Sequence, residues 1–178
     1  MPTPETAPVT PLFDAPTIAR RIDGMAAEIA AAMPGDVTVM VLLKGSFVFA
    51  ADLVRALGRA GMTPQVDFLR LASYGAGKES SGIVRIIGDV PEGLAGRRIL
   101  LVDDIADSGR SLDAAVRLME EAGAAEVRIC ALLDKPSRRV VPVPVEFVGF
   151  SVDDLFVVGY GIDYAEGYRY LDYVGAVG

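Results

Sequence analysis

A chain of 178 residues, 52% of them hydrophobic, has the material for one well-buried domain and too little for two ordinary ones. A net charge of −7 argues against a nucleic-acid surface, which needs clustered Lys and Arg. It also means that a polyphosphate ligand would need divalent cations to supply the missing positive charge. Histidine is absent, so any proton transfer falls to Asp, Glu, Lys or Tyr.

Residues 1–13 read as a loose, flexible tail, proline-rich and without the basic block of a signal peptide, and residues 14–178 as the single domain. Ile18, Ile22, Met25, Ile29 and Met33 have helical spacing, stopped by Pro34-Gly35. Residues 37–43 form a continuous aliphatic strand, after which Ser46 can cap a helix over 47–60 that Gly61 ends. Strands follow at 66–71 and 83–87. Residues 98–102, 112–122 and 127–133 make a strand-helix-strand unit with Gly123 at the C-cap. Further strands at 145–150 and 156–160 precede a tyrosine-rich C-terminus. Alternating buried strands and helices predict an α/β fold with an open, mainly parallel twisted sheet flanked by helices, its ligand beyond the strand C-termini. The lone Cys130 sits in an apolar run and reads as a core residue with no disulfide partner in the chain. No apolar run reaches the roughly 18 residues of a membrane span, and a reducing cytoplasm is the expected location.

The most informative segment is Ile99-Leu100-Leu101-Val102-Asp103-Asp104-Ile105-Ala106-Asp107-Ser108-Gly109-Arg110-Ser111. A buried strand ends on two adjacent carboxylates, and a short turn then opens a helix. Backbone N–H groups at such a turn and at the helix N-terminus point towards an anion, and the Ser108 and Ser111 hydroxyls add donors. The carboxylates cannot bind phosphate; they suit a diol or a hydrated Mg²⁺ beside it, which implies a ligand with both a sugar and phosphates. The plain alternative is a turn whose acids merely cap the helix. No GxGxxG or Walker motif is present. Three other strand ends carry polar residues in step with this one: Lys44-Gly45, Ser73-Tyr74 and Lys135. Residues 74–85, with Gly75, Gly77, Gly82, Ser80 and Ser81, read as a lid or, failing that, an ordinary loop.

The run from Ile99 to Ser111 resembles the 5-phosphoribosyl 1-diphosphate (PRPP) signature of the type I phosphoribosyltransferases. Ala106 stands where a larger aliphatic is usual, and Ser-Gly-Arg-Ser replaces the commoner Thr-Gly-Lys-Thr. With Leu42-Leu43-Lys44-Gly45-Ser46, Ser73-Tyr74, Leu133-Asp134-Lys135 and the stretch from Phe156 to Tyr164, the chain resembles the hypoxanthine phosphoribosyltransferases over residues 16–175. The resemblance implies a purine-salvage transferase with a small hood built from the N- and C-terminal segments, Mg²⁺ as cofactor, and a homodimer or homotetramer that binds neither nucleic acid nor membrane.

By that resemblance, Asp103 and Asp104 hold the ribose hydroxyls directly or through Mg²⁺. Asp107, Ser108, Gly109, Arg110 and Ser111 cradle the 5′-phosphate. Lys44, Gly45 and Arg169 contact pyrophosphate, Ser73 and Tyr74 add polar contacts to the phosphates, and Asp163 binds a second Mg²⁺. The Leu43-Lys44 peptide is expected to be cis. Asp107 is the candidate base near purine N7, with helix capping as its alternative or additional role. Lys135 can donate to a 6-oxo group but meets a 6-amino group donor to donor, which selects oxopurines; its bland reading is a solvated loop lysine. Phe156 stacks on the purine, or else packs in the core, and the backbone of Val157 and Asp163 reads the Watson-Crick edge. Two other functions stay open: a xanthine-preferring transferase, and a non-catalytic PRPP-sensing regulator, which would need a basic face or an added DNA-binding segment.

Overall fold

The computed structural model describes residues 8–74 and 83–178. Its elements in chain order are β1 (Val9–Phe13), α1 (Ala15–Ala32), β2 (Thr38–Leu43), α2 (Phe47–Arg59), β3 (Gln65–Tyr74), β4 (Ile83–Ile86), β5 (Arg98–Ala106), α3 (Arg110–Glu121), β6 (Glu126–Asp134), β7 (Phe147–Ser151), β8 (Val157–Val158) and β9 (Val174–Val177). The main sheet has the order β4-β3-β2-β5-β6-β7. All its pairings are parallel except β3 with β4.

The central strands are aliphatic without polar alternation because both faces of the sheet are covered. Along β2, Val39 and Val41 join a core with Ile22, Ile29, Leu53 and Leu57 of α1 and α2. Met40 and Leu42, pointing the other way, join a second core with Leu112 and Met119 of α3. The buried stripe of α1 is the predicted one, and Asp14 caps it by accepting the Thr17 N–H at 2.9 Å. Cys130 is fully buried.

From β2 the chain runs outward to β3 and then returns to lay β5 on the opposite side of β2. This reversal opens a crevice at the C-terminal ends of β2 and β5, where open α/β sheets bind ligands.

Several expectations need correction. Residues 9–13 are not part of a loose tail: they form β1, antiparallel to β9 with Val9 opposite Val177. The proline at position 11 is tolerated because β1 is an edge strand, and the register slips beside it. Phe13 anchors the strand by stacking on Phe150, ring centroids 4.0 Å apart. The three-stranded sheet β1-β9-β8 is the hood that the resemblance implies. The strand expected to stop at Val102 continues to Ala106, so the acidic pair lies within β5. Ser46 does not cap α2; its backbone is already helical and its hydroxyl donates to the Leu42 carbonyl. The strand expected over 156–160 shrinks to two residues, because Gly159, Tyr160 and Gly161 all turn to positive φ.

Candidate functional site

The ends of β2, β5 and β6 lie side by side at the C-terminal edge of the sheet. The Leu43-Lys44 peptide after β2 is cis, as the resemblance implies. Gly45 follows, and a Cβ built on it would lie 1.9 Å from Asp104 Oδ2. The Asp104 carboxylate therefore rests directly against the Lys44-Gly45 backbone, in space that only glycine leaves free. Gly161 closes on the same turn from the other side: its φ is +98°, and a Cβ there would stand 2.3 Å from the Gly45 carbonyl oxygen.

Within β5, Asp103 Oδ1 accepts the Asp104 N–H at 3.0 Å. Burial raises the Asp103 carboxyl well above the usual carboxylate range, and the adjacent Asp104 charge adds to it. Asp104 is also raised by burial, with its hydrogen bonds and the Arg169 charge opposing the shift. Two neighbouring carboxylates that resist ionisation together form a site that a cation would relieve.

The loop after β5 is held by the segment after β6. Gly109 takes the N-cap position of α3 at φ +85°, and a Cβ there would meet the Val141 carbonyl oxygen at 2.3 Å. Asp107 therefore does not cap the helix. Its Oδ1 instead accepts from Arg138 Nε at 2.9 Å, and Arg138 also reaches Asp154 at 3.3 Å. Arg139 binds across the same gap, donating to the Asp107 carbonyl at 3.0 Å and the Ala106 carbonyl at 3.1 Å, and pairing with Asp134. Ser108 Oγ lies 3.5 Å from Arg110 N, while Arg110 and Ser111 form the first turn of α3 with their backbone at the loop.

At the end of β6, Lys135 is only 7% exposed, and its Nζ donates to the Leu155 carbonyl at 2.6 Å. It is not a solvated loop lysine. Phe156 is 54% exposed and so is not a core residue; it meets Tyr164 edge to face at 5.2 Å. Val157 is buried in β8 beside it. Ser73 and Tyr74 end β3 and pair with Val84 and Ile83 of β4. Their side chains, and residues 75–82 of the expected lid, lie outside the described residues.

Beyond the β2 turn, Arg169 donates to the Gly161 carbonyl at 2.8 Å and pairs with Asp163 Oδ1 at 2.8 Å and with Glu166 Oε2 at 3.3 Å. Lys44 Nζ lies 2.9 Å from Glu166 Oε1. The two cations expected at the pyrophosphate subsite thus stand on either side of one glutamate.

A family model described as a phosphoribosyl transferase domain matches residues 8–165. The chain belongs to the phosphoribosyltransferase family. It is 47% identical to the hypoxanthine phosphoribosyltransferase of Escherichia coli strain K12 over 142 residues, covering 80% of this chain and 78% of that protein. It is 39% identical to the hypoxanthine-guanine phosphoribosyltransferase of Mycobacterium avium, over 93% of this chain and 84% of that one. Among solved structures, a hypoxanthine phosphoribosyltransferase from Staphylococcus aureus superposes with a TM-score of 0.89 at 32% identity, covering 95% of this chain and 91% of that one.

For a phosphoribosyltransferase of this kind, the oxygen donors suit Mg²⁺. Among the described residues, no group of three or more His, Cys, Asp or Glu side chains stands ready to hold a metal alone. Mg²⁺ commonly takes one or two carboxylates and completes its shell with water and substrate phosphates. The Asp103-Asp104 pair meets that need, and Asp163 offers a second, separate carboxylate now paired with Arg169.

Three residues of this phosphoribosyltransferase site escape a reading by strand ends: Arg138, Arg139 and Glu166. The first two had a legible signal, adjacent arginines four and five residues past a strand end in a chain of net charge −7. Glu166 had none, since an exposed loop glutamate is ordinary.

Proposed function

We propose that this enzyme transfers the phosphoribosyl group of PRPP to hypoxanthine, and also to guanine, releasing pyrophosphate and forming IMP or GMP in purine salvage. The observation that carries the choice of base is Lys135. A buried ammonium that donates to the backbone carbonyl of Leu155, the residue before the exposed Phe156, and that follows the strand next to β5, suits a donor for a 6-oxo group.

In this reading the purine stacks on Phe156, with its Watson-Crick edge against the backbone of Val157 and Asp163. The 5′-phosphate lies on the N–H groups from Asp107 to Ser111, where the α3 dipole favours an anion. Asp103 and Asp104 take the ribose hydroxyls, and their charge tolerates the cation-like ribose carbon that develops as pyrophosphate leaves. Lys44 and Arg169, with the Gly45 backbone and the Ser73 and Tyr74 region, receive the departing negative charge. Mg²⁺, when bound through Asp103, Asp104 and Asp163, would supply further positive charge to the diphosphate. Asp107 accepts the purine proton once its carboxylate turns from Arg138 towards the base. Assembly into a homodimer or homotetramer belongs to the same reading; Val66 and Phe68, neighbours on one exposed face of β3, are apolar surface suited to burial.

The test is a steady-state assay of the purified protein with PRPP, Mg²⁺ and each of hypoxanthine, guanine, xanthine, adenine and uracil. Turnover of the first two and none of adenine or uracil is expected. A preference for adenine would overturn the role given to Lys135, and full turnover in excess EDTA would remove the metal.

A further inference from the structure

Glu166 links Lys44 and Arg169 across 122 and 3 residues of sequence, one carboxylate oxygen to each cation, at 2.9 and 3.3 Å. A phosphate group would offer the same two cations the same pair of oxygens. We propose that Glu166 is an internal competitor for this anion subsite: its carboxylate takes the position of a phosphate of pyrophosphate, and the ligand binds by displacing it. The proposal rests on the placement of the pyrophosphate subsite given above.

Three further observations support it. First, the backbone is folded to present this side chain: Ala165, Glu166 and Tyr168 all adopt positive φ, of 50°, 66° and 68°, a region that residues with a Cβ enter at a cost. The Glu166 N–H is tied to Asp163 Oδ2 at 2.9 Å, so the loop that carries a candidate metal ligand also sets the glutamate. Second, the Glu166 side chain is 67% exposed and can swing into water. Exposed pairs of this kind are weak, so a polyanion can replace the carboxylate. Third, Arg169 does not depend on Glu166 for its position, because Gly161 O and Asp163 hold the same guanidinium.

This arrangement fixes the sign of the effect. If Glu166 were only a strut, its removal would loosen Lys44 and weaken anion binding. As a competitor, its removal strengthens binding. The cost of breaking two exposed ion pairs corresponds to a change on the order of threefold to tenfold in affinity.

The experiment is calorimetric titration of the wild-type protein, Glu166→Gln and Glu166→Ala with pyrophosphate and Mg²⁺, together with KM values for PRPP and hypoxanthine. Both variants should bind pyrophosphate about threefold to tenfold more tightly and show a correspondingly lower KM for PRPP, with the KM for hypoxanthine unchanged. Equal or weaker pyrophosphate binding in both variants overturns the competitor role. A wild-type protein that binds no pyrophosphate would instead refute the subsite on which the role depends. Because residue 166 is exposed, folding is expected to survive both substitutions, and matching thermal unfolding curves verify it.

Discussion

Replacing Gly45 by alanine probes the closest approach in the site. The new Cβ would stand 1.9 Å from Asp104 Oδ2 and 2.7 Å from its Cγ, so the carboxylate must retreat by about 1.5 Å to regain ordinary contact at 3.4 Å. Gly45 is not among the glycines at positive φ, so the backbone itself accepts alanine and the collision is the whole perturbation. Asp104 is fixed in β5 through its main chain and can yield only by turning its side chain, which moves the carboxylate off the position proposed for the ribose hydroxyls. Overpacking of this kind costs about 1–3 kcal/mol, and for a chain of this size each kcal/mol lowers Tm by roughly 2–4 °C. Misplacing a positioned group by an ångström or more costs on the order of 10² in rate. Gly45→Ala should therefore melt a few degrees early, keep its KM for hypoxanthine within about twofold, and lose about 10² in kcat/KM for PRPP. The assay is steady-state kinetics with each substrate varied, beside a thermal melt. Kinetics within twofold of wild type for both substrates would refute the reasoning, because they would mean that the Asp104 carboxylate can sit elsewhere at no cost to turnover.

Lys135→Met keeps the buried stem and removes the charged donor; a fall of about 10- to 100-fold in kcat/KM for hypoxanthine is expected, with KM for PRPP unchanged, and unaltered kinetics would leave Lys135 with a structural role only. Asp107→Asn should lower kcat by roughly 10² to 10⁴ while Tm barely moves, because its partner Arg138 is half exposed and such a pair contributes little to stability. Parallel losses of rate and stability would contradict the role of base. Burial pushes the Cys130 thiol far above its ordinary range, so a thiol-specific reagent at pH 8 should label the native protein negligibly and the denatured protein at one site per chain. Fast native labelling would show that the core beneath β6 opens.

Where both faces of a strand are buried, as along Val39 to Leu42 or Ile99 to Val102, the sequence is a plain aliphatic run and its structure is legible at once. The placement of the acidic pair, the turn from Asp107 to Gly109 and Lys135 at strand ends was legible for a related reason: polar residues directly after such runs have few other places to go. The hood was harder. β1 contains Pro11 and is exposed at three of its five positions, so nothing in its composition separates it from a tail, and only its pairing with β9, more than 160 residues away, makes it a strand. Local hydrogen-bond choices were also hidden. Ser46 has the chemistry of a cap, yet its hydroxyl turns back to Leu42, and Asp107 lies in reach of α3 but is captured by an arginine 31 residues further on.

That capture, with the Arg139 bonds beside it, makes one mechanical piece of two turns that chain order separates. The turn proposed to read the base, from Asp134 to Arg139, also braces the carbonyls of Ala106 and Asp107 at the mouth of the loop proposed to hold the phosphate. Exchanging base preference by grafting Lys135 and its neighbours from a relative would therefore succeed only if both arginines travel with the graft. A transplant that altered position 138 or 139 would unseat the cradle proposed for the sugar phosphate while appearing to touch only the nucleobase, and its failure would register as lost affinity for the wrong substrate.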